Sequence, residues 1–276
     1  TLALTDGERI DRTALAGRLT DLGEDEVFRE LWLRPTGEAD TVRLSPLIRR
    51  LPRRVGGVGV AYDNELGGMA WAGFTDRNVP VVRGEGTAIL ALSRYDNTLT
   101  LELRRHTLLG QRAFTPVARI TALEGDLRRF TPSSIELPAN DLRAATAALG
   151  VERDLALGLR LTIAGIATTW REHDLITDGT LTSSAVGGEV VLRRMNADRE
   201  AALTASVTAT TKYARAAIAF GFTTQLGPVR VDHLVRAGIG RDLPGWQAFH
   251  LGGDNGFPGL HIGEYPGDNE LMTAVT

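Results

Sequence analysis

The sequence predicts an all-β protein, an antiparallel transmembrane β-barrel preceded by a small α+β piece. Two observations predict this fold. Apolar and polar residues alternate with a period of two from Val55 to Arg241, and turn-like residues separate the alternating runs. Hydrophobic residues make up 43% of the chain and the mean hydropathy is -0.07, as expected for strands with one apolar and one polar face.

The composition excludes several other classes of protein. With 276 residues, of which 24% are charged, the chain is too hydrophobic for a disordered protein. It also lacks the roughly 18 consecutive apolar residues that a membrane-spanning helix needs. The absence of Cys excludes disulfide scaffolds, and a net charge of -3 provides no broad basic field for nucleic acid. The chain begins at Thr1 without a visible targeting signal, so we expect a processed chain or a fragment.

Residues 1–53 differ in pattern from the rest of the chain. Apolar residues at helical spacing predict a helix over Ile10–Leu22. Two short extended runs follow, Leu31–Leu33 and Thr41–Leu44. We expect a small α+β piece that leads into a connector rich in proline and arginine over Pro46–Arg54.

The alternation places apolar side chains on one face of each predicted strand and polar or small ones on the other. The clearest runs are Thr98–Arg104, Leu157–Ala164, Ala201–Thr210 and Val229–Gly240. We count about eleven strands between Val55 and Arg241, and the start of another at Glu270–Thr276.

The connectors predict tight turns at one rim of the barrel and longer loops at the other. The short connectors are Tyr95–Asn97, Leu109–Gln111, Asn196–Asp198 and Leu226–Pro228. The longer, polar ones are Arg128–Asn140 and His173–Thr180.

A soluble antiparallel sandwich is the alternative, because its strands alternate as well. Several runs reach about ten residues, however, whereas strands of soluble proteins centre on five or six. The polar face also mixes opposite charges with small residues, which suits a water-filled lumen. The side chains expected to line this lumen are Arg160, Glu189, Arg193, Arg215, Arg230 and Asp232.

No pattern in the sequence predicts catalysis or metal binding. The G-x-S-x-G, Walker and H-E-x-x-H motifs are absent, and the five His residues are scattered. Asp254–Gly256 has the acidic-Gly pattern of a calcium loop but lacks the remaining ligand spacing, so we expect a tight turn. The chain is therefore expected to be no enzyme, with no catalytic residue, no metal and no cofactor.

The segment His250–Asp268 is unusually rich in glycine. Glycines permit positive φ and close backbone packing, so this run cannot form a regular strand. The apolar residues Phe257, Leu260 and Ile262 indicate that it docks against another surface. We expect a long loop folded into the barrel lumen, with a flexible surface loop as the alternative.

This segment resembles the sixth loop of the BamA/TamA superfamily, also called bacterial surface antigens. The resemblance lies in Phe249–Asp254 (FHLGGD), in Gly256–Leu260 (GFPGL) and in Gly267–Asp268 before a new strand. The loop residues that carry the motif are Gly252, Gly253, Asp254, Gly256, Phe257, Pro258, Gly259 and Leu260.

The resemblance implies both an architecture and a function. Residues 1–53 would be a partial POTRA-like module, and residues 54–276 an outer-membrane β-barrel. The protein would reside in the bacterial outer membrane and assist insertion or translocation of other outer-membrane proteins. Its partners would be outer-membrane lipid, unfolded client proteins, and periplasmic or lipoprotein partners, without nucleic acid or a cofactor.

The sequence departs from the family pattern in two ways. Pro258 stands where the family loop has an Arg that pairs with acidic residues on nearby strands, and Leu260 replaces an aromatic residue. Such loops are similar to those of members attached to patatin-type lipases, so a non-catalytic anchoring barrel is the alternative function. Since the family barrel has about sixteen strands, about four are missing and we expect the chain to continue beyond Thr276.

Overall fold

The computed structural model describes eleven stretches of the chain. They are residues 28–36, 43–50, 52–63, 67–81, 84–105, 114–131, 135–156, 159–195, 201–227, 229–251 and 265–275. Within them, no helix is long and apolar enough to cross a membrane.

Almost all described residues belong to β-strands. In chain order, the strands are β1 (Phe28–Thr36), β2 (Arg43–Arg50), β3 (Arg54–Asp63), β4 (Gly67–Val79), β5 (Gly84–Leu92), β6 (Asp96–Arg105), β7 (Thr115–Phe130), β8 (Glu136–Ala156), β9 (Leu159–Asp174), β10 (Gly179–Met195), β11 (Ala201–Thr210), β12 (Ala214–Leu226), β13 (Val229–Arg241), β14 (Phe249–Leu251), β15 (Tyr265–Gly267) and β16 (Asn269–Val275). A 3-10 turn, Gly245–Gln247, precedes β14.

One antiparallel sheet of twelve strands dominates the structure. The strands from β3 to β13 each pair with their neighbours in sequence, and β16 pairs with β13. Between β13 and β16 the chain makes a small ribbon of β14 and β15, whose register pairs Phe249 with Gly267. In the described part of the chain, β3 and β16 are the two edges of the large sheet.

The predicted all-β class and the predicted number of strands are confirmed. Eleven strands span Arg54–Arg241, and one more follows the glycine-rich segment. The strands are also long: β8 has 21 residues and β10 has 17. A strand tilted by about 45° from the bilayer normal needs about 9–11 residues to cross the hydrocarbon core, so strands of this length cross it with residues to spare. Strands this long are uncommon in soluble sandwiches.

The prediction of long polar loops at one rim was wrong. β7 runs to Phe130 and β8 begins at Glu136, so most of Arg128–Asn140 is strand. Only residues 175–178 of His173–Thr180 form a turn. The reason is that polar side chains at these strand ends find partners on the sheet: a guanidinium N–H of Arg129 donates to Oδ1 of Asn140 at 3.3 Å.

The predictions for the first 50 residues were right only in part. Both predicted extended runs lie in or beside β1 and β2, which pair with Leu31 opposite Ile48. The connector over Pro46–Arg54 was wrong, because β2 continues to Arg50 and β3 begins at Arg54. Among described residues β2 pairs only with β1, and a proline is tolerated on such an edge strand because it need not donate to the ladder. The predicted helix Ile10–Leu22 lies outside the described residues.

The two faces of the large sheet differ in the way that the alternation predicts. We call the face with the buried side chains the inner face; in β9 it carries Ala164, Ile166, Thr168 and Trp170. The opposite, outer face exposes a band of large apolar side chains, the outer belt. The outer belt includes Val58, Val60, Leu99, Leu101, Leu103, Ile120, Leu149, Ile163, Val190, Val207, Ile218, Ile239 and Leu271. A water-soluble monomer rarely exposes so large a contiguous apolar surface, whereas a membrane barrel requires one.

Two neighbours in β6 test this assignment of faces. Leu101 belongs to the outer belt, and Thr100 lies on the inner face. Leu101→Arg is expected to lower the free energy of unfolding in lipid vesicles by about 2–4 kcal/mol, the cost of Arg near a bilayer midplane. Thr100→Arg, which meets a polar lumen, should cost less than half as much. Urea titration monitored by Trp fluorescence measures both values, and equal losses would contradict the assignment.

Candidate lumenal site

The chain crosses the inner face of the sheet directly after β13. This inner segment, residues 243–251, contains the 3-10 turn and β14. Its side chains Phe249, Leu243 and Trp246 pack on the sheet, Phe249 with only 3% exposure. The inner segment is therefore held in the barrel interior and not projected from the rim.

Phe249 occupies a seat built by two neighbouring strands. Its ring lies so close over Gly238 of β13 that a Cβ added to this glycine would collide with it. The guanidinium of Arg215, on β12, lies 4.3 Å from the ring centroid. This is a cation–π contact in a partly desolvated setting, where such contacts are worth about 1–2 kcal/mol. We call Phe249, Gly238 and Arg215 the aromatic seat.

A buried ion pair adjoins the aromatic seat. Arg236 of β13 lies 3.2 Å from the carboxylate of Glu270 on β16, whose side chain is 3% exposed. The same carboxylate attracts Arg215 electrostatically. Together with Phe249, these residues border a cavity of about 160 Å³. One carboxylate thus joins the returning strand to the two arginines that flank the seat.

His250 follows Phe249 and is also shielded from solvent. Burial lowers the pKa of its imidazole below the ordinary value, although a backbone hydrogen bond to Gly245 and the charge of Glu270 act in the opposite direction. Its Nδ1 is buried without a hydrogen-bond partner among the described residues. The ring is therefore neutral at neutral pH.

A second anchor for the inner segment is aromatic. Trp246 packs against Trp170 of β9 with ring centroids 6.4 Å apart, and Trp170 meets Tyr213 edge-on at 6.3 Å. These rings form one cluster with Leu142 and the other buried residues at this end of the sheet. Burial raises the pKa of Tyr213, so its phenol stays protonated in this apolar setting.

Charged pairs brace the inner face further along the sheet. Arg119 of β7 reaches Glu189 of β10 at 2.7 Å, across the two strands between them. Glu152 of β8 lies 3.3 Å from Arg104 and 3.4 Å from Arg160. Side chains from strands so far apart can meet only because the sheet curves toward this face.

The structure distributes the six predicted lumen residues over different surroundings. Arg215 is in the aromatic seat, whereas Glu189 and Arg160 are in the braces just described. Arg230 and Asp232 pair with each other at 3.1 Å near the start of β13. Arg193 is exposed on β10, opposite Arg160 in the register.

The predicted loop motif lies outside the described residues. This holds for Gly252, Gly253, Asp254, Gly256, Phe257, Pro258, Gly259 and Leu260.

Sequence reasoning missed the residues that hold the inner segment. It treated Phe249 only as part of a motif and gave Arg236, Glu270 and Trp246 no role. One signal was present: β13 places Gly238 on its inner face, and a strand glycine often marks the close approach of another group. The contact that the structure describes joins a wall arginine, Arg215, to the aromatic ring of Phe249 in the inner segment.

This geometry defines a class of protein: an antiparallel membrane-barrel wall with an apolar outside, a polar inside and an inward-folded segment after its eleventh strand. The particular fold is that of BamA-type outer-membrane barrels. BamA from Haemophilus ducreyi lacking POTRA domains 1–3 is similar with a TM-score of 0.68 and 12% identity, over 95% of this chain and 56% of that one. CdiB from Acinetobacter baumannii is similar with a TM-score of 0.57 and 13% identity, over 97% of this chain and 55% of that one.

The comparisons confirm the predicted BamA/TamA-type barrel at the level of the fold. The chain spans about half the length of the two solved structures. No protein-family model matches the sequence. No curated protein sequence matches it either. The POTRA-like module and the branch attached to patatin-type lipases stay predictions.

Removing the Phe249 ring tests the aromatic seat. Phe249→Ala is expected to raise protease cleavage within residues 243–251 at least tenfold, because deleting a buried Phe costs about 3–5 kcal/mol. Limited proteolysis of the folded protein in detergent measures the rate. Phe220→Ala, which removes the same ring from the outer face, should leave the segment protected. Equal cleavage of both variants would contradict the seat.

Acidification is expected to loosen the inner segment. Because the pKa of His250 is lowered in the seated state, its contribution to seating is intact above about pH 6.5 and is lost as the pH falls below that value. Cleavage of the segment should therefore be faster at pH 5.5 than at pH 7.5. His250→Gln, whose side chain stays uncharged, should cancel most of this difference in cleavage rate. If the variant keeps the full difference between the two pH values, His250 is not its cause.

Proposed function

We propose that this chain forms an outer-membrane barrel wall that assists insertion or translocation of other outer-membrane proteins. The observation that carries the proposal is the BamA-type fold, with its outer belt, polar inner face and seated inner segment. The proposed location is the bacterial outer membrane, because the outer belt needs a lipid environment.

The edge strand β3 supplies a physical means of guiding a client strand. The Arg77 N–H donates to the carbonyl of Arg53 at 2.8 Å, so these two residues are a hydrogen-bonded pair. Hydrogen-bonded and non-hydrogen-bonded pairs alternate in an antiparallel ladder. Odd-numbered residues of β3 therefore bond to β4, and even-numbered ones such as Val58 and Val60 direct their N–H and C=O groups to the edge.

This edge is accessible in the described structure. Val58 is 83% exposed and Val60 is 87% exposed. On the inner face the ring of Trp71 covers Gly59, where an added Cβ would collide with it. A client strand could thus add to the edge by β-augmentation, with backbone hydrogen bonds that do not depend on the client sequence.

The proposed partners are membrane lipid around the outer belt, unfolded outer-membrane clients at the β3 edge, and periplasmic or lipoprotein partners. No catalytic residue, cofactor or nucleic acid is part of the proposed function.

A proline at the edge of β3 tests the proposal. Val60→Pro removes one N–H that faces the edge and leaves the bonds to β4 in place, as edge strands tolerate. The protein is reconstituted in vesicles, a urea-unfolded small outer-membrane barrel is added, and client folding is followed by its heat-modifiable gel mobility. We expect the initial rate to fall about fivefold or more, the effect of losing about 1 kcal/mol of hydrogen bonding.

Val60→Thr is the matched control, because it keeps the N–H and the β-branched shape. It should keep the client rate within about twofold of the original. If the original protein inserts into the vesicles but folds the client no faster than empty vesicles do, the proposed function is wrong.

A further inference from the structure

Three arginines lie on the outer face along one rim of the sheet. We call this the N-terminal rim: β3 begins there, and β6, β8 and β10 end there. Arg105 ends β6, Arg153 lies near the end of β8 and Arg194 near the end of β10. We call the three residues the arginine girdle.

The alternation places the arginine girdle on the outer face. Arg105 is two residues beyond Leu103 and four beyond Leu101, both in the outer belt. Arg153 is four residues beyond Leu149, and Arg194 is four residues beyond Val190, and both of these apolar residues belong to the outer belt. Since side chains two residues apart in a strand point the same way, the girdle directly continues the outer belt.

No described acid neutralises the girdle. At this rim Asp76 is held by Arg53 and Arg54 at 3.0 Å each. The carboxylates of Glu85 and Glu152 are on the inner face, where they pair with other arginines. Within the described residues, Arg105 and Arg194 have no ion pair, and both are exposed.

Arg153 is presented on an aromatic support. Its guanidinium lies 5.2 Å from the centroid of the Phe114 ring. Its Nε is buried without a hydrogen-bond partner in the described part of the chain. The ring thus orients the guanidinium, and no acid among the described residues pairs with it, an arrangement that suits planar recognition of phosphate.

The opposite rim has a different charge pattern. There Arg143 pairs with Glu124 at 2.7 Å, and Arg128 with Glu136 at 2.9 Å. Among the described strands, three outer-face arginines without an ion pair therefore lie along the N-terminal rim, whereas at the opposite rim Arg171 is the one on its strand that has no such pair.

We propose that the arginine girdle binds the phosphate groups of anionic phospholipids. The charge complements that headgroup, and the outer belt that continues from the girdle suits its acyl chains. Each basic residue close to an anionic leaflet contributes about a fivefold gain in binding. The inference rests on the proposed membrane function, and it adds the lipid class that the wall selects at one rim.

Native mass spectrometry of the folded full chain tests the girdle. The chain is transferred from mixed micelles with equal amounts of phosphatidylglycerol and phosphatidylcholine, and retained lipids are counted. We expect a clear excess of phosphatidylglycerol. Each of Arg105→Gln, Arg153→Gln and Arg194→Gln should reduce that excess about fivefold. The double variant Arg143→Gln, Arg171→Gln, on the outer face at the opposite rim, should leave it unchanged.

The possible results distinguish failure of lipid binding by the arginine girdle from failure of the proposed function. A chain that folds and inserts without a phosphatidylglycerol excess overturns the girdle and leaves the proposed function standing. An excess that the opposite-rim double variant removes equally overturns it too, as does competition by millimolar inorganic phosphate, which would mark a site for the free anion. A chain that never inserts into vesicles overturns the proposed function and the girdle with it.

Discussion

The constraint on which the structure depends is the backbone pairing of one continuous antiparallel sheet. Each strand from β4 to β13 is bonded on both sides, and this ladder fixes which side chains share a face. Because the period of a strand is two, every outward leucine of β6 is separated from the next by an inward polar residue. A slip of one residue by β7 would place Arg119 in the outer belt, and the same slip by β10 would place Glu189 there.

The inner segment, residues 243–251, is the second feature on which the structure depends, because it covers part of the inner face of the sheet. It is held by ring packing at both of its ends, with Trp246 against Trp170 and Phe249 over Gly238. Beside Phe249 the wall supplies the cation, Arg215, and the inner segment supplies the π-face of the ring. Ring packing and one cation–π contact thus hold the inner segment on the sheet.

Much of the fold could be predicted because it follows from local pattern. The alternation over Thr98–Arg104 and Ala201–Thr210 predicted strands and their faces, and the count of eleven strands before the glycine-rich segment was correct. The long connectors were predicted wrongly, because Arg128–Asn140 looks polar and irregular in isolation. Its polar side chains are satisfied across the sheet, for example Arg129 by Asn140, and a single sequence carries no sign of that pairing.

By itself, the sequence determined the period, and therefore the strands, the apolar outer face and the polar inner face. Only the tertiary structure decided which inner residues meet. Arg119 and Glu189 are 70 residues apart and form an ion pair because the sheet register and curvature bring β7 and β10 together. Phe249 lies over Gly238 because the chain turns back across the lumen after β13. Such contacts depend on how distant strands are staggered and curved, a property of the whole sheet that no local spacing of residues contains.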